Sequence, residues 1–291
     1  MKRDDVCAVC VLYQPDGEVI RSLHESLKSQ VKDFVFVDNT PCGYVLPADI
    51  SGRLIYCGDN RGIAYAQNIG IQAARFFGYD YILLSDQDTI YPHNFISNIF
   101  NGFSYSQTVD VVVPEVFDSK RQTFQGFVGL GQISFARSRF GKVQPIRHAN
   151  ASGMLIRCEC FDVVGYMRED FFIDWVDFEW CWRLASAKRL VVCQPSVIID
   201  HALGDSVTRV CGATFAVRND QRYFYIIRNG IYLVVSFSHL SLAERIVLFG
   251  KLLTYIAGFT LISRRRFKTL KVICKAILFG LVGRMGKHEI S

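Results

Sequence analysis

The chain has 291 residues, half of them hydrophobic, which is enough apolar surface for the core of one large domain and excludes a disordered chain. Its formal charge of +6 is confined to the end: residues 264–291 carry eight Lys and Arg against Glu289 alone, leaving −1 for the rest. A basic groove over the main body, as a nucleic-acid enzyme needs, is therefore not expected.

The first expected strand is Val6–Tyr13, an apolar run holding Cys7 and Cys10. Strand alternation sends these two thiols to opposite faces, so they read as core residues rather than a redox pair. The ten cysteines show no framework spacing and follow no secretory leader, which suits a reduced, cytosolic setting. Gly17–Gln30 is spaced as a helix, Phe34–Val37 and Arg53–Cys57 as strands, Gly62–Phe77 as a second helix and Tyr81–Leu84 as a strand. Pro92–Phe103 reads as a third helix with Pro92 in its first turn, and Val109–Val113 as the next strand. Residues 117–148 have weak periodicity and read as a loop or short hairpin that closes over a site. A strand at Ser152–Arg157, a helix at Asp177–Ala187 and an extended run at Leu190–Ile199 follow. Near-continuous apolar strands alternating with helices predict an α/β fold with a mostly parallel sheet covered on both faces.

Ligands of such sheets bind beyond the carboxyl ends of the strands, where three places hold aspartates. Asp38 ends Phe34–Val37 and can accept hydrogen bonds from a base or ribose, or simply cap the turn before Pro41. Asn60-Arg61-Gly62 opens a helix whose free N–H groups can face a diphosphate, with Arg61 adding charge; a plain cap is the alternative. Asp86-Gln87-Asp88 terminates a hydrophobic strand, where alternate residues of an extended segment project to one side and both carboxylates reach one cation. Carboxylates with water and phosphate oxygens make a hard Mg²⁺ or Mn²⁺ site able to neutralise a departing nucleoside diphosphate.

Phe172 to Arg183 interleaves acids with large aromatics at a helix start. The helix dipole and an i, i+4 pair with Arg183 account for Glu179, but leave Asp174, Trp175 and Asp177 to be explained. A sugar hydroxyl attacking an anomeric carbon needs a partly desolvated carboxylate base, and Asp177 between Val176 and Phe178 meets that demand. An exposed Trp175 can stack on a sugar ring. His201 is read either as a structural histidine or as a third metal ligand.

These segments together resemble the family 2 glycosyltransferases of GT-A fold, and within them the bacterial rhamnosyltransferases of O-antigen and polysaccharide assembly. The resemblance spans about residues 6–230 and rests on Tyr13-Gln14-Pro15, Val37-Asp38-Asn39, the run from Asn60 to Gly70, Asp86-Gln87-Asp88, Phe172 to Arg183, and Arg222-Tyr223 with Arg228-Asn229. It implies that Asp38 binds the base, that Asn60 and Gly62 line the nucleotide pocket, and that Asp86 and Asp88 hold the diphosphate with its metal. It further implies Asp177 as base, His201 as an added metal ligand, and dTDP-L-rhamnose as donor, with another donor such as a UDP-sugar as the alternative. Many family members carry Glu-Asp at the base, where this chain has Val176-Asp177; Asp174 is the candidate for the orienting role.

Residues 1–230 are thus expected to form the transferase domain and 231–291 an apolar and basic helical appendage. Ile246–Ser263 is near the lower length limit for crossing a bilayer, and with Arg264-Arg265-Arg266 behind it suits an in-plane helix on an anionic cytoplasmic leaflet. Packing on the main domain is the alternative. Partners expected on this reading are the nucleotide-sugar, a saccharide or lipid-linked acceptor, the membrane surface and, in a homo-oligomer, a second copy; nucleic acid is not among them. Two rivals remain: a nucleotidyltransferase, which would show a Gly- and Lys-rich loop where Tyr13–Gly17 stands, and a membrane-surface binding protein without catalysis.

Overall fold

The computed structural model describes residues 5–119, 122–133, 138–200, 207–210, 213–216 and 218–290. The chain forms two compact units, the first drawing on residues up to 132, 136–167 and 177–203, the second on 133–135, 168–176 and everything from 204 on.

In the first unit β1 (Val6–Leu12) is followed by α1 (Gly17–Leu27), β2 (Asp33–Asp38), β3 (Arg53–Tyr56), α2 (Ile63–Phe76), β4 (Tyr81–Asp86) and α3 (Phe95–Ile99). Then come β5 (Val109–Asp118), β6 (Thr123–Phe124), β7 (Gln144–Ile146), β8 (Met154–Arg157), α4 (Cys160–Val164), α5 (Val176–Ser186) and β9 (Leu190–Asp200). Among the described residues they build one sheet of nine strands in the order β3-β2-β1-β4-β8-β5-β9-β7, with β6 on β5. β3, β2, β1 and β4 run parallel, so Asp38 and Asp86 finish neighbouring strands on either side of β1 and emerge at the same edge. β8 is inserted antiparallel between β4 and β5, and β5 pairs in parallel with β9.

The apolar runs are buried as their composition requires. All seven residues of β1 are buried, and Ile20, Leu23 and Leu27 of α1 cover one face of the sheet. α2 lies on β1 and β2, closely enough that a Cβ at Gly70 would collide with Val9. Cys7 and Cys10 are both buried and free, and burial pushes the Cys7 thiol up to about 12.

Two local readings change. Pro92 precedes the third helix, whose N-cap is Asn94 in the left-handed conformation, and after Ile99 the chain tightens into a 3₁₀ turn to Tyr105. The aromatic cluster of Tyr81, Phe100 and Phe103 holds that shorter geometry. Among the described residues of 117–148, β6 turns back on β5 as the short hairpin expected there, and β7 is an added strand paired with β9.

The second unit contains the strand pair β10 (Val207–Val210) and β11 (Ala213–Ala216), then α6 (Asp220–Ser236), α7 (Leu242–Ile262) and α8 (Arg266–Leu281). α6 packs on both later helices. α7 opens with a reciprocal capping box between Ser241 and Glu244. It is also long and apolar enough to cross a membrane, and 22% of its most apolar stretch is buried.

Candidate active site

The parallel half of the sheet ends in a hydrogen-bonded rim. Asp38 is fully buried; its Oδ1 accepts from the Thr40 amide at 2.9 Å, while Oδ2 has no partner. Thr40 Oγ1 in turn accepts from the Gln14 amide at 2.9 Å. Asn39 Oδ1 accepts the Arg61 amide at 2.8 Å and its Nδ2 donates to Asn60 Oδ1 at 3.2 Å, which also accepts the Gly62 amide at 3.1 Å. Asn60 and Asn39 therefore shape the entry to α2. Gly62, at φ +91°, has a backbone that L side chains rarely adopt. The Arg61 guanidinium lies over the Tyr65 ring, 4.6 Å from its centroid.

An unmet buried acceptor such as Asp38 Oδ2 costs roughly 1–3 kcal/mol, which a ligand N–H would recover. A pyrimidine base presents such a donor.

At the end of β4 the structure corrects one step of the sequence argument. Asp86 is the last strand residue, but Gln87 and Asp88 lie in a turn, with the Thr89 amide 3.4 Å from Asp86 O. The turn, and not strand alternation, sets the direction of Asp88, which is exposed while Asp86 is half-buried. Gln87 fastens this turn to the end of β1: its Oε1 accepts the Tyr13 amide at 2.8 Å and its Nε2 donates to Tyr13 O at 3.3 Å. Ser152 Oγ holds it from the other side, accepting the Asp86 amide at 3.1 Å and lying 2.7 Å from Thr89 Oγ1. In the sequence Gln87 stands out only as the middle of the Asp86-Gln87-Asp88 motif, and Ser152 not at all, since a hydroxyl outside a cap carries no positional signal.

Asp86 and Asp88 both act on the Cys10 thiol, whose pKa is pushed well up by burial first and by these carboxylates second. Among the described residues no third His, Cys, Asp or Glu gathers with them into a metal-binding group, and His201 lies outside those residues. Two hard carboxylates at the mouth of the sheet are of the donor type that could hold Mg²⁺ or Mn²⁺ together with oxygens from elsewhere.

Asp177 stands in the first turn of α5, with Oδ2 accepting the Ala151 amide at 3.1 Å and Oδ1 the Phe178 amide at 3.0 Å. Burial pushes its carboxyl up to about 7; the amide hydrogen bonds oppose that, and the negative charge of Asp86 adds to it. Ala151 and Ser152 are adjacent, so one short segment before β8 touches both Asp177 and the Asp86 turn. Glu179 is occupied structurally: it pairs with Arg183 at 2.9 Å, as the i, i+4 spacing suggested.

Asp174 and Trp175 take other places. In the second unit Asp174 pairs with Arg222 at 2.8 Å and Arg218 at 3.5 Å. The expectation of an exposed Trp175 ring is corrected: the residue is 8% exposed, its indole N–H donates to Ile226 O at 3.0 Å, and the Lys251 ammonium sits 5.6 Å from the ring. An aromatic buried in this way does not present a face to a sugar. Phe172, Asp174 and Trp175 all have φ between +64° and +67°. Such left-handed non-glycine residues cost roughly 1–3 kcal/mol each and persist only where the surroundings hold them.

No protein-family model matches the chain. The dTDP-rhamnosyl transferase RfbF of Shigella flexneri is 30% identical over 296 residues, 97% of this chain and 96% of that protein. The low-salt glycan biosynthesis hexosyltransferase Agl10 of Haloferax volcanii is 23% identical, with 98% and 94% covered. Among solved structures, S. aureus TarS 1-349 in complex with UDP-GlcNAc superposes with TM-score 0.59 at 12% identity, over 96% of this chain and 82% of that one. GalNAc-T7 with UDP, GalNAc and Mn²⁺ gives 0.55 at 12%, this chain spanning 57% of its length. These two likenesses concern the fold alone. With a relative matched end to end, and with the sheet of such transferases beneath a rim of aspartates, the chain belongs to the family 2 glycosyltransferases of GT-A fold.

Proposed function

We propose that this glycosyltransferase moves L-rhamnose from dTDP-L-rhamnose, with inversion, onto a saccharide or lipid-linked saccharide of a cell-surface polysaccharide. The end-to-end match to a protein named as a dTDP-rhamnosyl transferase carries the donor reading. The unpartnered Asp38 Oδ2 supports a base-binding role, as it would accept the N3–H of a thymine or uracil. Asn60, Arg61 and Gly62 at the entry of α2 would face the nucleotide.

In this mechanism Asp86 and Asp88 would hold a divalent cation at the diphosphate end, and when bound the cation would supply charge neutralisation for the leaving group. Asp177 accepts the acceptor hydroxyl's proton as the oxygen attacks the anomeric carbon from the face opposite the nucleotide. A carboxyl pushed up to about 7 is a stronger base than an ordinary carboxylate, and the two amides fix its orientation. The C–O bond to the diphosphate breaks as the new glycosidic bond forms, and a β-L-rhamnosyl donor gives an α-linked product without a covalent enzyme intermediate. His201 is proposed as an additional metal ligand, and residues 231–291 as a peripheral attachment to the inner leaflet.

The test is nucleotide release measured across dTDP-, UDP- and GDP-sugars with Mn²⁺ or with excess EDTA. The expected outcome is turnover of dTDP-L-rhamnose at least tenfold above the others and its loss in EDTA. Preference for a UDP-sugar, such as the UDP-GlcNAc bound by TarS, would overturn the donor assignment, and full activity in EDTA the metal.

A further inference from the structure

Residues 168–176 leave the first unit, pack with the C-terminal helices, and return the chain to the first unit at Asp177. The last four residues before α5 include the left-handed Phe172, Asp174 and Trp175, so the start of that helix is set by a backbone path that ordinary side chains avoid. What holds this path is a polar pair inside α6. Asn229 Nδ2 is 3.0 Å from Phe171 O, 2.9 Å from Ile173 O and 3.0 Å from Asp174 O. Arg228 Nε donates to Asn229 Oδ1 at 2.9 Å, which turns the amide nitrogen toward those carbonyls. Its Nη2 reaches Phe171 O at 3.0 Å and Asp170 O at 3.2 Å.

Both side chains are fully buried. Neither is needed by a helix that could fill the same space with apolar groups, and a buried guanidinium is costly unless its hydrogen bonds are met. Here Arg228 Nη2 and the Asn229 amide nitrogen are both spent on the carbonyls of one bent segment. The tail adds to it, since the Gly286 amide donates to Asp170 O at 2.7 Å and Gly286 O accepts from Arg228.

We propose that Asn229, oriented by Arg228, is a positioning residue for transfer: it locks residues 171–174 in the left-handed path from which α5 starts, and so fixes the Asp177 carboxylate. This inference rests on the reading of Asp177 as the base. The C-terminal helices then serve the chemistry as well as any attachment.

The test uses the full-length Asn229→Ala variant, with Arg228→Lys as the milder change should alanine prevent folding. Three quantities are measured: amide hydrogen exchange, dTDP affinity, and kcat for release of dTDP from dTDP-L-rhamnose. Exchange over residues 171–180 is expected to rise at least tenfold while β1 and β2 are unchanged. kcat is expected to fall at least tenfold with the dTDP dissociation constant within twofold of the parent. Unchanged exchange at 176–180, unchanged kcat in a destabilised protein, or parallel loss of kcat and dTDP affinity would each overturn the proposal. Exchange needs no substrate, so it decides the brace by itself. Asp177→Asn is assayed alongside: turnover retained there removes the base assignment, whereas its loss together with fully active Asn229 and Arg228 variants removes only the brace.

Discussion

At the scale of single residues, the proposed base Asp177 would couple catalysis to stability with a definite sign. Its folded pKa of about 7 lies above the ordinary carboxylate value, so the folded protein binds this proton more tightly than the unfolded chain does. The stability associated with the protonated carboxyl is complete below about pH 4 and is lost as pH rises through about 7. Asp177→Asn removes that loss. It should melt higher than the parent at pH 8, by about 1–3 kcal/mol of added stability, with the difference vanishing near pH 4. The same variant should lose transfer by a factor of about 10³ while binding dTDP normally. In the parent, kcat should decline about tenfold per pH unit below about 7, because only the ionised carboxylate accepts the proton. A divalent cation bound at Asp86 would offset the negative charge that helps raise this pKa, so saturating Mn²⁺ should move this limb to lower pH. Asp38 makes a separate prediction: Asp38→Asn replaces a free acceptor by a donor or a blocked oxygen and should weaken dTDP binding roughly tenfold or more by calorimetry.

At the scale of elements, the contacts of the second unit depend on small residues as much as on apolar ones. A Cβ at Gly280 of α8 would stand 2.5 Å from the Arg228 carbonyl oxygen and 2.8 Å from Ile231 Cβ, and backbone cannot give way as a flexible side-chain tip can. Gly280→Ala should therefore push α8 off α6 and lower stability by about 1–3 kcal/mol, read as a lower Tm. Because Arg228 is also the residue that orients Asn229, the same variant should raise exchange in residues 171–175. Gly250 on α7 meets nothing within 4 Å, so Gly250→Ala is the control that leaves both measurements unchanged or improves the helix.

At the scale of the whole molecule, charge and apolar surface coincide at the C-terminal end. Leu242, Ile246, Phe249 and Leu253 recur at helical spacing on α7 and are each at least 45% exposed, while Phe267 at the start of α8 is 86% exposed. Residues 264–291 supply the net positive charge of the chain. Vesicles containing anionic lipid should sediment the protein and neutral ones should not, with Phe249→Glu reducing binding several-fold and high salt weakening it further. Equal binding to both kinds of vesicle would argue against an electrostatic share in the proposed attachment.

How much of this could be read without coordinates differs by feature and has a physical cause. Strands such as Phe34–Val37 and Tyr81–Leu84 were legible because a buried parallel strand must be apolar along its whole length, and Asp38 and Asp86 stood out because each closes such a run with a carboxylate. The antiparallel insertion of β8 was not legible, since strand direction is decided by which neighbours are already paired. Nor was the turn at Gln87-Asp88, the burial of Trp175, or the Asn229 brace: each depends on a partner many residues away, such as Tyr13, Ile226 or Phe171. The sequence by itself determined the α/β class and the family and singled out the aspartates as candidates, because periodicity and residue chemistry are local properties. Tertiary structure alone decided which of those side chains face the rim, which are used up in holding the chain, and how far burial raises Asp177, because those follow from what is packed around each group.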